Sequence, residues 1–240
     1  AYFYDLNTKL SYKLNDNNSL FLSGYFGRDV FSLNKSFTNI YGNSTLNLRW
    51  NHLYTDKLFS NLSLIYSDYY YGLDLDFIGF KWDSGIRNYN IKYDFKNYIS
   101  DKFKLNYGLN GIYYEFNPGT IKPSNETSGI NPDQLDKKYA FEPAVYIEAE
   151  NQLSKKLTIS YGLRYSLFYR LGKSTINLYD NNNPVVFNSD LQIYEKGTPI
   201  STEFYGKNKV VESYDNLEPR FSVSYQLNDD EAIKASYNRM

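Results

Sequence analysis

Hydrophobic and polar residues alternate along most of this chain, and a long, clear run lies between Leu157 and Arg170. Its odd positions are all Leu, Ile or Tyr, whereas its even positions are Thr, Ser, Gly or Arg, with Phe168 as the exception. A period of two places the two sets on opposite faces of an extended strand. The run exceeds the ~5–6 residues of an ordinary soluble strand, and a bilayer is crossed by ~9–11 tilted residues. The pattern therefore predicts a transmembrane β-strand with an apolar face toward lipid and a polar face toward a watery lumen.

Alternation of this kind recurs about ten times, for example over 89–95 and 103–109. Short polar turns and longer segments separate the runs, and the two kinds of connection follow one another in turn. The short turns are Asn15–Ser19, Thr55–Lys57, Ser100–Lys102, Ser154–Lys156 and Asn228–Asp230, and the longer segments are roughly 32–43, 72–85, 117–138 and 171–216. Tight turns on one side and long loops on the other are typical of outer-membrane β-barrels.

The numbering of the apolar faces gives an independent test of these hairpins. When two paired strands keep apolar residues on positions of the same parity, the turn must hold an odd number of residues, and paired numbers sum to an even value. The apolar positions are even on both sides of Thr55–Lys57 and odd on both sides of the three later turns. Each of these turns is interpreted as three residues long, although none carries the glycine that such turns favour. Asn15–Ser19 can supply three or five residues, so five hairpins are predicted.

Composition narrows the function classes. The mean hydropathy of -0.59 argues against a transmembrane helix, and the 27 tyrosines suit both β-strands and a membrane–water interface. The absence of cysteine removes disulfides, thiolate metal sites and cysteine nucleophiles. With a net charge of -1 and scattered Lys and Arg residues, the chain is not expected to bind nucleic acid. We predict no metal site, no cofactor and no enzymatic activity.

A soluble β-sandwich or a lipocalin-like barrel would also show alternation. The strand lengths favour the membrane barrel, and so do tyrosines near the longer segments, which would form an aromatic girdle. These tyrosines are Tyr69, Tyr70, Tyr71, Tyr113, Tyr114, Tyr165 and Tyr169. The predicted fold is all-β, an antiparallel transmembrane β-barrel with about ten strands in this chain.

Two stretches carry a resemblance to a known family. One is Gly111–Pro123; in the other, Leu217–Arg239, Glu218-Pro219-Arg220 opens an alternating strand that is followed by a polar turn and Lys-Ala-Ser-Tyr. Together with the order of hairpins and long loops, they resemble the barrel of TonB-dependent outer-membrane receptors. The resemblance implies a barrel of roughly 22 strands with a plugged lumen. Residues 1–240 are then expected to form a partial barrel, with the plug domain and the remaining strands outside this segment.

The same resemblance implies residence in the outer membrane of a Gram-negative cell and TonB-energised import of a scarce nutrient. The implied partners are outer-membrane lipid, a TonB-type energising protein that acts through the plug, and a surface lipoprotein that caps the loops. Two alternatives stay open: a passive porin-type channel and a ten-stranded outer-membrane protease. A protease would need an acid–histidine arrangement at the outer rim. His52, the one histidine, precedes the Thr55 turn and is expected at the periplasmic end.

Charged residues concentrate on the predicted lumen face of two neighbouring strands. Glu142, Glu148 and Glu150 lie on one strand, and Arg164 and Arg170 on the next. We interpret them as a lumen charge network of cross-strand pairs or plug contacts, with a ligand or ion path as the alternative. A three-residue turn at 154–156 would also place Tyr146 opposite Arg164, where a cation–π contact could form.

The ligand site of such a receptor is expected on its outer loops and rim. Rigid aromatic anchors with adaptable polar neighbours are what binding surfaces favour. We therefore choose Trp82 in the loop before the fifth strand, Tyr114 and Phe116 at the rim, and Tyr194 and Tyr205 in the longest segment. The alternative for each ring is a place in the aromatic girdle or in loop packing. Apolar residues in that longest segment, such as Val186 and Phe187, predict a folded extension of the hairpin rather than disorder.

Overall fold

The computed structural model describes residues 1–34 and 36–239, and these form ten long strands and five short ones. The long strands are β1 (Tyr2–Asn15), β2 (Asn18–Leu33), β3 (Phe37–Thr55), β4 (Leu58–Leu75), β5 (Phe80–Ser100), β6 (Phe103–Pro123), β8 (Lys138–Gln152), β9 (Leu157–Leu171), β14 (Val210–Gln226) and β15 (Ala232–Asn238). The short strands are β7 (Asp133–Gln134), β10 (Ser174–Leu178), β11 (Val185–Asn188), β12 (Ile193–Lys196) and β13 (Ser201–Tyr205). In this part of the chain no helix is long and apolar enough to cross a membrane.

The long strands form one antiparallel sheet in chain order, β1-β2-β3-β4-β5-β6-β8-β9-β14-β15, and β7 pairs with the outer end of β6. Each strand is hydrogen-bonded to its neighbour in the chain, which is the up-and-down connectivity of a membrane barrel. The predicted class, a partial antiparallel transmembrane β-barrel with about ten strands here, is confirmed.

Next to the pairs that close the turns, the register agrees with the parity prediction, because the paired numbers there sum to an even value in all five hairpins. The pairs are Lys13 with Ser19, Leu53 with Phe59, Tyr98 with Lys104, Gln152 with Thr158, and Gln226 with Ala232. Three turns are shorter than the three residues or more that were predicted: only residues 16–17, 56–57 and 101–102 connect the strands there, and each of these hairpins carries a register shift. A polar side chain at the start of each turn accepts backbone N–H groups, as Ser154 Oγ does from Lys156 and Leu157 at 3.2 and 3.1 Å. This local bonding stabilises the turn where glycine is absent.

The strands run further toward the opposite side of the sheet than the alternation predicts. β2 ends at Leu33 and β3 begins at Phe37, while β4 and β5 are joined by a single 3₁₀ turn at Asp76–Ile78 and Gly79. The predicted loops at 32–43 and 72–85 are therefore mostly strand. The other two long connections shrink to 124–137 and 172–209. Backbone hydrogen bonds continue the ladder beyond the apolar band even where both faces carry polar side chains, and there the period of two disappears from the sequence.

The longest connection is folded, as predicted. β10 pairs with β13, and β11 pairs with β12 beyond them, so residues 174–205 build two antiparallel hairpins outside the main sheet.

An exposed apolar band covers one face of the sheet. Among its members are Leu46, Leu64, Ile91, Ile147 and Leu163, each between 42 and 51% exposed. Exposure of such apolar surface to water would be unfavourable, whereas the hydrocarbon of a bilayer accepts it. This outward face is the lipid face, and the opposite face lines the lumen.

Aromatic rows border the band on both sides. Tyr66, Tyr89 and Tyr113 stand side by side at the outer border, with the first two rings 5.4 Å apart. Phe95 and Tyr107 stack at 5.2 Å near the inner border. Tyr89 and Phe95 are separated by ~20 Å along β5, which is near the ~25 Å of a transmembrane barrel's apolar band.

The girdle prediction is only partly correct. Tyr70 and Tyr113 share the outward face, but Tyr69, Tyr71 and Tyr114 pair with lumen-facing residues and belong to the lumen. Neighbouring positions of a strand alternate faces, so a run of three tyrosines cannot lie in one girdle.

Candidate ligand-binding site

The lumen face is divided into two zones at different heights. Toward the tight turns it carries charged side chains on β3 to β6, which are Arg49, Lys92, Asp94, Lys96 and Lys104. Toward the other side, the same four strands present only uncharged side chains. We name this uncharged zone the upper lumen wall; it consists of Asn39, Tyr41, Asn43, Thr45 and Asn47 on β3, Ile65, Ser67, Tyr69, Tyr71 and Leu73 on β4, Trp82, Ser84, Ile86, Asn88 and Asn90 on β5, and Ile112, Tyr114 and Phe116 on β6.

The predicted lumen charges engage partners, but not the partners that were expected. Glu150 accepts a hydrogen bond from Lys104 Nζ at 2.8 Å, and Glu148 accepts one from Asn106 Nδ2 at 3.5 Å. Both bonds lead back to β6, so the glutamates of β8 do not pair with the arginines of β9. Cross-strand pairing is thus present with a different set of partners.

The arginines of β9 turn instead to β14. Arg164 Nε lies 3.8 Å from Glu218, and Arg170 lies 3.8 Å from Glu212. Glu218 is only 8% exposed and also accepts hydrogen bonds from Ser166 and Arg220. Arg164 is therefore fixed beside a buried carboxylate.

Tyr146 stands opposite Arg164, as the turn length predicted. Its hydroxyl donates to Asp94 on β5 at 2.6 Å. The expected cation–π pairing is therefore replaced by a hydrogen bond that spans β6.

Trp82 lies within β5, paired with Leu73 and Ile121, and not in a loop as predicted. Its indole packs edge-on against Tyr71 at 5.4 Å, and Tyr71 lies 5.2 Å from Tyr41. The three rings form a continuous aromatic row across β3, β4 and β5. We name it the ring row.

Gly119 makes room for this arrangement. A Cβ atom at Gly119 would overlap Nε1 of the Trp82 indole. The missing side chain therefore gives the indole its place against the backbone of β6. A register irregularity between β5 and β6, at Asp83–Gly85, brings the glycine to this position.

Tyr114 and Phe116 also face the lumen. Their rings stack at 5.6 Å with an interplanar angle of 17°, and the Tyr114 hydroxyl donates to Glu142 at 3.3 Å. Phe116 stands opposite Ile86, four residues from Trp82, or ~13 Å along the strand. Both predicted rings thus belong to the upper lumen wall, below the ring row.

Tyr194 and Tyr205 lie apart from these rings, in the hairpins of the longest connection. Tyr194 is 73% exposed on β12 and packs against Phe187 at 5.1 Å. Tyr205 ends β13, and its hydroxyl donates to Glu203 at 2.7 Å. That bond to a carboxylate, more than any other cause, raises the pKa of Tyr205 above its ordinary value.

Of the five predicted rings, the structure brings together Tyr114 and Phe116 and joins Trp82 to two further rings, Tyr41 and Tyr71. Sequence reasoning missed these two. Tyr41 has an odd number, like Asn39 and Asn43, whereas the apolar Leu46 and Leu48 have even numbers. This parity was the signal in the sequence that could have placed Tyr41 on the lumen face.

His52 lies at the tight-turn end on the outward face. Its Nδ1 is 2.7 Å from Asn18 Oδ1, and its ring packs edge-on against Tyr54 at 4.2 Å. This position is far from the rim where the protease alternative needs a histidine. Across residues 1–34 and 36–239, no three His, Asp or Glu side chains are grouped to hold a metal ion.

On β3 to β6, the charges at the height of the upper lumen wall lie on the outward face. Arg87 donates to Asp68 at 3.0 Å, and Lys137 donates to Glu115 at 2.6 Å. Both bonds lie directly above the outer aromatic row of Tyr66, Tyr89 and Tyr113. The hydrogen bond to Glu115 raises the pKa of Lys137. The change from apolar to charged residues marks the outer edge of the membrane on this face.

A family model described as "Outer membrane beta barrel domain" matches residues 113–239, more than half of the chain. The chain belongs to this outer-membrane β-barrel family. It therefore resides in the cell outer membrane. A comparison with curated protein sequences gave no match.

Solved structures of outer-membrane receptors resemble the chain over almost its whole length. They include the hemophore receptor HasR of Serratia marcescens, solved with its hemophore HasA and heme (TM-score 0.68, 15% identity), covering 98% of this chain. The FrpB iron transporter of Neisseria meningitidis (TM-score 0.65, 16% identity) and the alcaligin receptor FauA of Bordetella pertussis (TM-score 0.65, 14% identity) also match over 98% of this chain. The matched parts make up 35%, 36% and 35% of HasR, FrpB and FauA. This chain thus spans about a third of their length.

At such low identity the likeness concerns the fold. These structures are TonB-dependent outer-membrane receptors, and the resemblance drawn from the sequence is confirmed for the barrel. This chain shares with their barrels the arrangement of long antiparallel strands and their connections.

Proposed function

We propose that this outer-membrane β-barrel segment is part of a receptor that imports a scarce nutrient in a TonB-energised manner. The observation that carries the proposal is the match of 98% of the chain to the barrels of an iron transporter, a siderophore receptor and a hemophore receptor. A plug domain and further strands would complete the receptor, because the matched receptors are about three times longer.

The two-zone lumen supports this proposal. A charged lower zone suits contact with a polar plug, and Arg49 and Lys92 lie there on the lumen face. The upper lumen wall would stay open to ligand arriving from outside. Ligand is then caught by Trp82, Tyr114 and Phe116 in the lumen, with Tyr194 and Tyr205 on the outer hairpins.

Partners follow from the same proposal. Lipid covers the outward band, and a TonB-type protein delivers energy through the plug. A surface lipoprotein would meet the exposed hairpins of residues 174–205. HasR was solved with a protein partner, its hemophore, which supports a protein contact on the outer side of such barrels.

The experiment that separates this proposal from a passive channel needs no known substrate. Full-length protein is reconstituted in a planar bilayer and tested for binding of the periplasmic domain of the energising protein. A plugged, energised receptor gives no steady conductance and binds that domain. Steady open-channel conductance without such binding would establish the passive porin-type function instead.

A further inference from the structure

We propose that the upper lumen wall recognises a neutral, polyhydroxylated ligand such as an oligosaccharide, by ring stacking and amide hydrogen bonds. This inference rests on the proposed function and names the substrate class of the same site. It follows from three properties of the wall: its charge, its amides and its rings.

The first property is the absence of charge where a ligand would enter. The wall residues on β3 to β6 contain no Lys, Arg, Asp or Glu. Asp29 on β2, and Lys138 and Glu142 on β8, flank the wall and carry a net charge of one negative unit. An anionic chelate in a barrel needs cations to offset its charge. At this height Arg87 and Lys137 face outward, and Arg170 on the lumen face of β9 lies 3.8 Å from Glu212.

The second property is a high density of side-chain amides. Asn39, Asn43 and Asn47 alternate along β3, and Asn88 and Asn90 lie two strands away on β5. An amide offers two donors and an acceptor, so it can meet hydroxyl groups that both donate and accept. The side-chain oxygens of Asn39, Asn43, Asn47 and Asn90 lack a hydrogen-bond partner among residues 1–34 and 36–239. Unpaired buried acceptors are uncommon, and rotation of these amides toward the lumen would let ligand hydroxyl groups supply the missing donors.

The third property is the ring row. Tyr41, Tyr71 and Trp82 run across three strands, and the Tyr114–Phe116 stack lies below them. The apolar C–H face of a sugar ring packs on an aromatic face, while its hydroxyl edge stays free for amides. Rings and amides at successive heights therefore fit an extended chain of sugars better than a compact charged chelate.

The test uses the full-length protein in detergent and two kinds of probe. One is a panel of uncharged hexaoses built from glucose, mannose, galactose or xylose, and the other is ferric citrate. We expect at least one hexaose to bind, with an affinity that is unchanged when the salt concentration is raised about tenfold, because a neutral ligand is not screened. Trp82→Ala should weaken that binding by about tenfold, as expected for one good stacking contact.

Trp50→Phe is the matched control, since Trp50 lies on the outward face near the inner girdle; its hexaose affinity should equal that of the unmodified protein. Trp82→Phe should keep part of the binding, and heat-modifiable migration in electrophoresis checks that both Trp82 variants are folded. The inference is overturned if no hexaose binds, if Trp82→Ala binds normally, or if ferric citrate binds instead with a steep salt dependence. If the protein binds ferric citrate in a salt-dependent way and shows no steady channel conductance, the oligosaccharide class is rejected. The proposed energised receptor would still stand.

Discussion

Adjacent side chains of one strand meet different solvents in this molecule. Leu163 is 42% exposed on the lipid face, whereas Arg164 faces the lumen beside Glu218. Because the register fixes both faces together, one residue cannot change sides without shifting its whole strand. Substitutions on the two faces should therefore have very different energetic costs.

Leu163→Arg should destabilise the barrel by ~2–4 kcal/mol, since a charge near the middle of the lipid face must leave water. Unfolding of the full-length protein in lipid vesicles by denaturant gives this free energy. Ser160→Arg is the control: Ser160 stands opposite Glu150 on the lumen face, so its replacement should change the unfolding free energy much less. Equal costs for both variants would contradict the assigned faces.

The place of Trp82 against Gly119 gives a second residue-scale prediction. Gly119→Val should push the indole away from Tyr71, because a Cβ atom there overlaps the indole nitrogen. We expect a red-shifted Trp82 emission, read as the difference from a Trp82→Phe variant. Gly129→Val is the control, since no atom lies near a Cβ at that position. An unchanged emission in Gly119→Val would show that the glycine does not hold the indole in place.

At the scale of elements, the sequence predicted the strands through the membrane and failed beyond it. Alternation identified ten strands and the parity of five turns, because lipid on one face and water on the other impose a period of two. Beyond Tyr66, Tyr89 and Tyr113 both faces meet water. The alternation of apolar and polar residues alone therefore could not assign Tyr69, Tyr70 and Tyr71 to their faces. Trp82 was chosen as an aromatic candidate and placed in a loop, whereas it lies within β5. The parity of Tyr41 indicates its face, but its contact with Tyr71 follows only from the register between β3 and β4.

The longest connection is an element of its own, held by β10–β13 and β11–β12 pairing. Replacing residues 180–199 by a short Gly-Ser turn should leave the β10–β13 pair and the barrel intact. It should lower the affinity for whichever probe binds the unmodified protein, hexaose or ferric citrate, because Tyr194 is removed. Heat-modifiable migration in electrophoresis checks the barrel. If the affinity is unchanged, these hairpins are architectural and Tyr194 is not part of the ligand site.

At the scale of the whole molecule, three gradients point the same way along the barrel axis. From one end of the barrel to the other, the lumen-facing side chains of β3 to β6 change from charged to uncharged. On the outward face, apolar side chains give way to ion pairs above Tyr66 and Tyr89. The connections between strands are tight turns at the first end and folded hairpins at the second. In outer-membrane barrels the long connections face the cell exterior. All three gradients then place the neutral end of the lumen toward the outside, where a ligand first arrives.

This orientation can be tested on living cells, because the segment contains no cysteine of its own. Single cysteines replace Glu126 and Ser189 in the long connections, or Asp56 and Asp101 in the tight turns, within the full-length protein. A membrane-impermeant maleimide should label the first two in intact cells, because those positions lie in exposed outer loops. The turn positions should react only after the outer membrane has been permeabilised, which also shows that their thiols are reactive. Labelling of Asp56→Cys in intact cells, with Glu126→Cys protected, would invert the barrel and move the upper lumen wall to the periplasmic side.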